Sequence, residues 1–361
     1  MALAKPLTAL GLMSGTSMDG VDAALVVTDG ERVERLGGHL TLPYAPATRA
    51  RIRAVLGGVG DVAGAADEIT RIHAEAVAAL LRREGLSPAQ VDLLGFHGHT
   101  VLHRPEERRT WQIGDGALLA RLTGIDVVDD FRTADVAAGG QGAPLVPLYH
   151  LALARGLARP LAVLNVGGVA NVTWIDGPPS APNLLAFDTG PGNALVDDWV
   201  HRHDGRLYDA DGAMAAAGRV DADALARLLD HDYFGRRPPK SLDRDAFSTA
   251  PVAKLSAPDG AATLTAFTAH AVARAVVHFP APPRRWLVTG GGRHNKTLMA
   301  ALAHVLPGAV EPVEAARWNG DGLEAQAFAY LAVRSLRGLP LSFPGTTGAG
   351  RPTAGGVLRR A

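Results

Sequence analysis

The chain contains no cysteine, and this absence excludes disulfides, thiolate nucleophiles and thiolate metal sites together. It also has no excess of charge of either sign, because its 36 basic residues balance its 36 acidic residues. Since no dense block of lysine and arginine is present, the charge pattern does not favour nucleic acid or an anionic membrane as a partner. A small molecule is therefore the expected partner.

Long hydrophobic runs are missing as well. No uninterrupted apolar stretch approaches the roughly 20 residues that a membrane-spanning helix needs. The apolar stretch near the N-terminus is short and leads directly into a glycine-rich turn, which indicates a core strand rather than a signal peptide. We therefore expect a cytoplasmic protein. The 361 residues would suffice for about two domains of roughly 150 residues each, and a hydrophobic content of 47% is ample for two cores.

A glycine-rich turn lies between the apolar runs 7–13 and 21–27. A strand, a turn rich in backbone N–H groups and hydroxyls, and a returning strand together form a cradle for an anion. The turn is not a Walker A loop, because no Gly-Lys-Ser/Thr follows and the next segment favours a strand. Taken alone, the segment could also be a plain hairpin turn.

Two further glycine turns follow. Residues 161–175 repeat the strand-turn-strand pattern around Gly167 and Gly168. The third cluster, 290–292, follows the strand-like residues 286–289 and precedes Asn295, a suitable N-cap for a helix over 298–306. The pattern predicts that two hairpins hold phosphates from opposite walls of a cleft, while the third turn holds a nucleoside.

The first glycine-rich turn reads Gly15-Thr16-Ser17-Met18-Asp19-Gly20-Val21-Asp22, and a later block reads Phe187-Asp188-Thr189-Gly190-Pro191-Gly192-Asn193. With other blocks in the same order, these residues resemble the anhydro-N-acetylmuramic acid kinase family along nearly the whole chain. One such block would be weak evidence, whereas many blocks in one order are specific. The matching blocks span 11–22, 97–105, 112–115, 131–135, 139–147, 165–173, 187–193, 239–241, 290–295 and 324–329.

This resemblance implies an α/β protein with the two-lobed actin-like ATPase fold, which is ribonuclease H-like, with mixed central sheets flanked by helices. Alternating strand and helix patterns independently favour an α/β class. We expect an N-terminal lobe over 1–143, to which a tail from about 340–361 returns, and a C-terminal lobe over 144–339. The active site is expected in the cleft between the lobes.

Asp188 is the candidate catalytic residue. It follows an apolar strand, 184–187, and precedes a glycine-rich segment, so it lies at the strand edge where ligands of α/β sheets gather, although a turn or N-cap aspartate would read similarly. The resemblance implies that Asp188 is the general base for a water that attacks the anomeric carbon of 1,6-anhydro-N-acetylmuramic acid. The anhydro bridge opens, O6 takes the γ-phosphoryl group of ATP, and N-acetylmuramate 6-phosphate forms, as in cell-wall recycling. One carboxylate serves both steps if they are concerted.

The ATP site is expected to draw on all three turns. We predict that Asp19 orients the water shell of Mg²⁺, with no direct protein ligand to the metal, because Mg²⁺ retains several waters. The residues assigned to ATP are Gly15, Thr16, Ser17, Met18, Asp19, Gly20, Val21, Asp22, Asn165, Gly167, Gly168, Asn171, Gly190, Gly192, Asn193, Gly290, Gly291, Gly292 and Asn295.

For the sugar, the resemblance implies that Asp188 is joined by His97, Arg132, Gln141 and Glu324. Arg132 could hold the lactyl carboxylate in a bidentate fork, although it could also be a surface arginine. Glu324 lies on an expected helix over 321–336, where a solvated charge is the alternative.

Two positions depart from the family pattern. His99 stands where the family usually has glutamine, and Leu242 with Asp243 stand where it commonly has Thr-Gly. The spacing of His97, His99 and His103 is not a familiar zinc signature, so no metal site is predicted there.

Two other functions remain open from the residues. A nucleotide switch of the same fold would need the turns but not Asp188 beside a sugar pocket, and a kinase of another sugar would use Asp188 to deprotonate a hydroxyl. Residues 139–142 could be either a hinge for lobe closure or a tight turn made for packing. Dimerisation is suggested only by the resemblance.

Overall fold

The structure is a computed structural model that describes residues 4–15, 17–178 and 183–361. The chain forms two compact units. Unit 1 consists of Met1–Arg155 together with Asp321–Ala361, and unit 2 is Gly156–Gly320. Unit 1 is therefore assembled from two separate stretches of chain, whereas unit 2 is continuous.

The first stretch of unit 1 alternates strands and helices. Its elements are β1 Leu7–Ser14, β2 Gly20–Thr28, β3 Val33–Pro43, α1 Pro46–Ala54, α2 Val62–Glu84, β4 Leu93–Arg104, β5 Arg109–Ile113, α3 Gly116–Thr123, β6 Val127–Asp129, α4 Thr133–Ala137 and α5 Pro147–Leu153.

Unit 2 and the second stretch of unit 1 complete the chain. The elements of unit 2 are β7 Leu161–Val166, β8 Val169–Asp176, β9 Asn183–Pro191, α6 Ala194–Asp204, α7 Ala213–Ala216, α8 Ala222–Leu229, α9 Ala257–Ala275, β10 Arg285–Thr289, α10 Lys296–Val305 and β11 Ala309–Pro312. The second stretch of unit 1 contributes α11 Leu323–Leu336, α12 Pro344–Thr347 and β12 Val357–Arg359.

The two units repeat one sheet topology. In unit 1, β1, β2 and β3 form an antiparallel meander, and β1 is extended on its other side by the parallel strands β4 and β6. In unit 2, β7, β8 and β9 form the meander, and β10 and β11 are the parallel strands beside β7. This duplicated arrangement of mixed sheets flanked by helices confirms the predicted α/β class and the actin-like plan.

Helix α11 packs on the sheet of unit 1 at two glycines. A Cβ atom added to Gly11 of β1 would lie 1.8 Å from the main-chain oxygen of Ala325, and one added to Gly95 of β4 would lie 2.1 Å from that of Phe328. Gly11 and Gly95 are neighbours in the β1–β4 register, so the helix backbone rests directly on a two-strand glycine patch. This close packing places α11 in unit 1, whereas the sequence boundaries grouped it with the second lobe.

Local signals predicted several element ends. Helix α2 ends at Gly85, which adopts the left-handed conformation (φ 67°). Glycine adopts this conformation without steric strain because it has no Cβ atom. Asn295 caps α10 by accepting a hydrogen bond from Leu298 N at 2.9 Å, as its position predicted. Strand β4 extends to Arg104, because it pairs with β5 in a hairpin.

The tail from residue 340 lies in unit 1. Its strand β12 pairs with β6 in an antiparallel register. Ser342 Oγ and Thr347 Oγ1 both donate to Oδ1 of the buried Asp135, which follows β6 in the chain. A side chain in the first stretch of unit 1 therefore anchors the second stretch.

Candidate functional site

The turn between β1 and β2 in unit 1 carries the first group of predicted ATP residues. Met18 N donates to Gly15 O at 3.0 Å, and Met18 adopts a left-handed conformation with φ 56°. The side chains of Ser17 and Asp19 are exposed, whereas Thr16 lies outside the described residues. The turn thus presents a hydroxyl and a carboxylate to solvent.

The last three predicted ATP residues of this segment, Gly20, Val21 and Asp22, are packed within unit 1. Gly20 packs against β3, where a Cβ atom would lie 2.4 Å from Leu42 O, and the side chain of Val21 is buried in the core of unit 1. The carboxylate of Asp22 accepts a hydrogen bond from Thr41 Oγ1 at 2.5 Å. Burial raises the pKa of Asp22, and the charges of Asp321 and Asp19 act in the same direction. Gly20 and Val21 therefore offer no exposed side chain to a nucleotide.

Three buried side chains form a series of hydrogen bonds next to the same turn. Tyr44 Oη donates to Ser14 Oγ at 2.8 Å, and Ser14 Oγ lies 2.9 Å from His99 Nδ1. Tyr44 N also donates to Asp19 O at 2.9 Å, so one residue holds both ends of the turn. Burial lowers the pKa of His99 to about 4, which keeps its ring neutral near pH 7. Neither Ser14 nor Tyr44 was among the predicted site residues.

His97 and Arg132 are brought together within unit 1. Arg132 Nε donates to His97 Nε2 at 3.1 Å, so the opposite ring nitrogen, Nδ1, carries the proton and donates to Gly98 O at 2.8 Å. Burial and the nearby guanidinium lower the pKa of His97 well below its usual range. A neutral, oriented histidine thereby fixes one side of Arg132 and leaves its two terminal nitrogens outside this contact.

Glu324 begins helix α11 and joins the same electrostatic group. Burial raises its pKa, the charge of Asp22 adds to that effect, and the charge of Arg132 opposes it. Burial also lowers the pKa of Arg132 to about 10, with Glu324 acting in the opposite direction. Glu324 is therefore part of a charged group with Asp22 and Arg132, not the solvated helix-start charge that its sequence position also allowed.

Gln141 lies in a turn that is held at several points within unit 1. Its N–H donates to Thr347 O at 2.7 Å, and Gly142 N donates to Asp135 Oδ2 at 2.7 Å. A Cβ atom added to Gly140 would lie 2.2 Å from Asp135 Oδ2. These contacts favour the tight turn over the hinge as the role of residues 139–142.

The second predicted hairpin turn lies in unit 2 and meets the start of α6. Gly192 N donates to Gly168 O at 2.9 Å, and Asn193 N donates to Gly167 O at 2.7 Å. The Asn193 side chain reaches Val166 O through Nδ2 at 3.0 Å. The space that a side chain at Gly190 would need is filled by α9, since its Cβ would lie 2.7 Å from Ala271 Cβ.

The third glycine turn lies beside the second in the same unit. Gly290 has φ 75°, and a Cβ atom there would lie 2.4 Å from Asn165 Oδ1. One at Gly291 would lie 3.7 Å from Asn193 Nδ2, and one at Gly292 would lie 2.6 Å from Val166 side-chain atoms. The structure therefore gathers the predicted groups 165–168, 190–193 and 290–295 at one end of the unit 2 sheet.

Asp188 stands in a row of polar residues across three adjacent strands of unit 2. Asn165 of β7 pairs with Asn171 of β8, and Asn171 pairs with Asp188 of β9. A β-bulge follows, because the next registered residue of β9 is Gly190 and Thr189 is left over. Bulges re-aim side chains near functional sites, and this bulge lies directly beside the candidate base.

Three hydrogen bonds hold Asp188. Its N–H donates to Lys240 O at 3.1 Å, its carbonyl accepts from Tyr233 Oη at 2.6 Å, and its Oδ2 accepts from Leu242 N at 2.8 Å. Burial raises the pKa of the Asp188 carboxyl to about 7, although the Leu242 bond acts in the opposite direction. A carboxylate with a pKa near neutrality is suited to general base chemistry.

Sequence reasoning missed the residues that hold Asp188. The block 239–241 was part of the resemblance, and Lys240 O and Leu242 N are supplied by that segment, so this block was the available signal. Nothing in the sequence singled out Tyr233. The departure at Leu242 leaves the contact intact, because its main-chain N–H makes the bond.

The comparison with known families decides the identity of the chain. The model of the anhydro-N-acetylmuramic acid kinase family matches residues 7–360. This chain belongs to the anhydro-N-acetylmuramic acid kinase family. It is 63% identical over 357 residues to the anhydro-N-acetylmuramic acid kinase of Rhodospirillum rubrum, covering 97% of this chain and 93% of that protein. It is 61% identical over 351 residues to that of Paramagnetospirillum magneticum, covering 96% and 98%.

Membership of the anhydro-N-acetylmuramic acid kinase family confirms the predicted family and the predicted class of enzyme, a kinase. Among the described residues, no group of three or more His, Asp or Glu side chains is arranged to hold a metal ion. Within the same part of the chain, one helical stretch, Ala257–His278, is long and apolar enough to cross a membrane. It is 67% buried inside the protein, as the central helix of a folded core would be.

Proposed function

We propose that this chain is an ATP-dependent kinase that opens the 1,6-anhydro ring of 1,6-anhydro-N-acetylmuramic acid with water and phosphorylates O6. The product is N-acetylmuramate 6-phosphate. Family membership supports the substrate, and the surroundings of Asp188 support the chemistry. The single observation that carries the mechanism is a carboxylate with its pKa raised to about 7, held by three hydrogen bonds beside two glycine turns.

Asp188 is assigned as the general base. It takes a proton from water as the water oxygen bonds to the anomeric carbon, and the bond between that carbon and O6 breaks. O6 then bonds to the γ-phosphorus of ATP as the bond to the β-bridging oxygen breaks, which releases ADP. The proton on Asp188 passes to solvent, so that every atom is accounted for and one carboxylate is sufficient.

The predicted ATP residues belong to glycine turns in each unit. In unit 2, the gathered turns 167–168 and 290–292 allow a close approach to main-chain N–H groups, because no side chain intervenes. In unit 1, the turn between β1 and β2 exposes Ser17 and Asp19. Charge neutralisation and positioning are the main requirements of phosphoryl transfer, and main-chain N–H groups, hydroxyls and carboxylates in such turns are suited to them.

The acidic residues of unit 1 fit a hydrated Mg²⁺ ion. Asp19 is exposed, and its charge raises the pKa of Asp22, which indicates that the two carboxylates are close. Carboxylates reached through water are usual for Mg²⁺ bound with nucleotide phosphates, where the ion neutralises phosphate charge. Asp19→Asn should therefore raise the Mg²⁺ concentration needed for half-maximal turnover. An unchanged magnesium dependence would remove this role from Asp19.

Arg132 is assigned to the lactyl carboxylate of the sugar. His97 engages only its Nε, so the two terminal nitrogens can form the planar fork that matches a carboxylate. The neutral state of His97 avoids a second positive charge at this point. Gln141 and Glu324 are assigned to the same sugar, and Glu324 balances the charge of Arg132.

The decisive experiment uses purified protein, ATP, Mg²⁺ and 1,6-anhydro-N-acetylmuramic acid in ¹⁸O-labelled water, followed by mass spectrometry. The expected product carries one phosphate and one ¹⁸O at the anomeric carbon. Borohydride reduction at the moment of quenching prevents later exchange at this carbon. Unlabelled N-acetylmuramate 6-phosphate, incubated for the same time without ATP, gives the background exchange.

The same experiment separates the two alternative functions. Phosphorylation without the label would indicate a kinase that acts on a hydroxyl group of another sugar. Bound ATP without any sugar product would indicate a nucleotide switch. A cytoplasmic location is proposed because ATP is consumed, and dimerisation stays a prediction from the resemblance.

A further inference from the structure

Strand β9 is the outer strand of the unit 2 sheet, and at Asp188 its outer edge is covered by contacts that come from outside the sheet. Both main-chain groups of Asp188 bond to the segment 233–240: the N–H to Lys240 O at 3.1 Å, and the carbonyl to Tyr233 Oη at 2.6 Å. An outer strand normally leaves such groups to solvent or to another strand. Here one donor is a side-chain hydroxyl.

Tyr233 is itself held firmly in this position. It lies in the short 3₁₀ turn Asp232–Gly235, and its side chain is 1% exposed. Lys240 Nζ donates to Tyr233 O at 3.2 Å and lies 4.6 Å from the centre of the Tyr233 ring. Tyr233, which bonds the Asp188 carbonyl, is therefore hydrogen-bonded to Lys240, which bonds the Asp188 N–H.

We infer that Tyr233 is a positioning residue for the reaction, because its hydroxyl fixes the backbone of Asp188 at the β-bulge and thereby aims the carboxylate. This inference rests on the proposed role of Asp188 as the base. Tyr233 does not need to touch substrate, since its contact is with the main-chain oxygen of Asp188.

The bulge explains why this hydroxyl matters. The antiparallel pairing with β8 holds β9 in register before Asp188 and again at Gly190, but it leaves Thr189 without a registered partner. The sheet pairing therefore constrains the backbone poorly next to Asp188, whose carboxylate must be oriented toward the substrate. Without the hydroxyl, the backbone at residue 188 can turn, and the Leu242 N–H bond to Oδ2 must then follow or break. Displacements below 1 Å in a catalytic group are enough to slow turnover markedly.

The variant Tyr233→Phe removes the hydroxyl and keeps the ring beneath Lys240. We expect kcat to fall about tenfold, with the KM values for ATP and sugar within about twofold, because binding does not use this contact. Tyr149→Phe is the matched control, since Tyr149 is also buried and donates its hydroxyl to Gln326 Oε1 at 3.0 Å in unit 1. The control should retain the kcat of the parent protein.

Residue-resolved amide hydrogen exchange by NMR provides a readout that does not depend on the substrate. In Tyr233→Phe, the amides of Asp188 and Leu242 should exchange at least tenfold faster, while amides in the centre of β7 keep their protection. Unchanged kcat together with unchanged exchange at Asp188 and Leu242 would overturn the inference, even where the parent enzyme phosphorylates the anhydro sugar. If the parent protein gives no product but the exchange at these two amides accelerates, the positioning role of Tyr233 stands and the proposed reaction fails.

Discussion

The two units share a strand order but differ in what covers their central strands. In unit 1, the parallel pair β1 and β4 presents Gly11 and Gly95 to the backbone of α11. In unit 2, the corresponding pair β7 and β10 presents Val163 and Leu287, both fully buried. The central parallel strands thus carry glycines under a close-packed helix in one unit and large buried aliphatic side chains in the other.

This difference teaches how one duplicated scaffold can acquire two roles. The topology sets where the turns lie in each unit, whereas the chemistry depends on the residues that pack around those turns. Unit 1 places charged side chains, Arg132 and Glu324, around its turn through α11 and the loop after β6. Unit 2 places one aspartate on its outer strand and holds it with a loop. Variants of Asp188 in unit 2 should therefore affect turnover, and variants of Arg132 and of the α11 contact in unit 1 should affect binding or stability.

The largest effect is expected in unit 2, from Asp188→Asn. The amide oxygen can still accept from Leu242 N, but it cannot take a proton, so kcat should fall about a thousandfold, as for the loss of a general base. Steady-state kinetics with ATP and the anhydro sugar measures this. Asp176→Asn, at the far end of β8, is the control and should be fully active. A residual rate within tenfold of the parent would remove Asp188 from the role of base.

The largest effect on stability is expected in unit 1, from Gly11→Ala. The new methyl group would lie 1.8 Å from Ala325 O and 2.5 Å from Ala329 N, so α11 must move away from the sheet. We expect a loss of about 2–3 kcal/mol in the free energy of unfolding, typical of overpacking at a tight contact. Calorimetry should show a lower Tm for unit 1. Gly350→Ala, with no atom within 4 Å of its added Cβ, should leave the Tm unchanged.

The next effect is on binding, from Arg132→Lys in unit 1. Lysine cannot form the planar fork, and the hydrogen bond to His97 Nε2 changes with it. The KM for the sugar should rise about thirtyfold, while kcat changes by less than about threefold. Arg51→Lys, at an exposed ion pair with Glu68, is the control. Equal losses in kcat and in kcat/KM would instead place Arg132 in the chemical step.

The smallest effect concerns stability as a function of pH. Because burial raises the pKa of Asp188 from 3.8 to about 7, its contribution to stability is fully present below pH 4 and is lost as the pH rises through 7. Asparagine stays neutral, so the Tm of Asp188→Asn should match that of the parent at pH 4 and exceed it at pH 8. A Tm difference that does not change between these pH values would contradict the raised pKa.

The sequence predicted best what is decided locally. The glycine turns, the end of α2 at Gly85 and the cap at Asn295 each depend on a few neighbouring residues. Asp188 was singled out as the candidate base because an apolar strand leads into a glycine-rich segment at this position. Such signals survive because backbone conformation and capping need no distant partner.

What the sequence could not predict depends on residues far apart in the chain. Helix α11 belongs to unit 1 because two glycines more than 200 residues away accept it, and periodicity does not reveal a partner. Tyr233 contacts Asp188 from 45 residues away, and no motif surrounds it.

The split composition of unit 1 has a consequence for the order of events on the ribosome. Unit 2 is continuous, so all of its strands are available once residue 320 has emerged, whereas the glycine patch on β1 and β4 stays uncovered until α11 follows. Domains generally fold as units during synthesis. Nascent unit 2 therefore completes its fold first, and the segment synthesised earliest must wait, partly assembled, for the segment synthesised last.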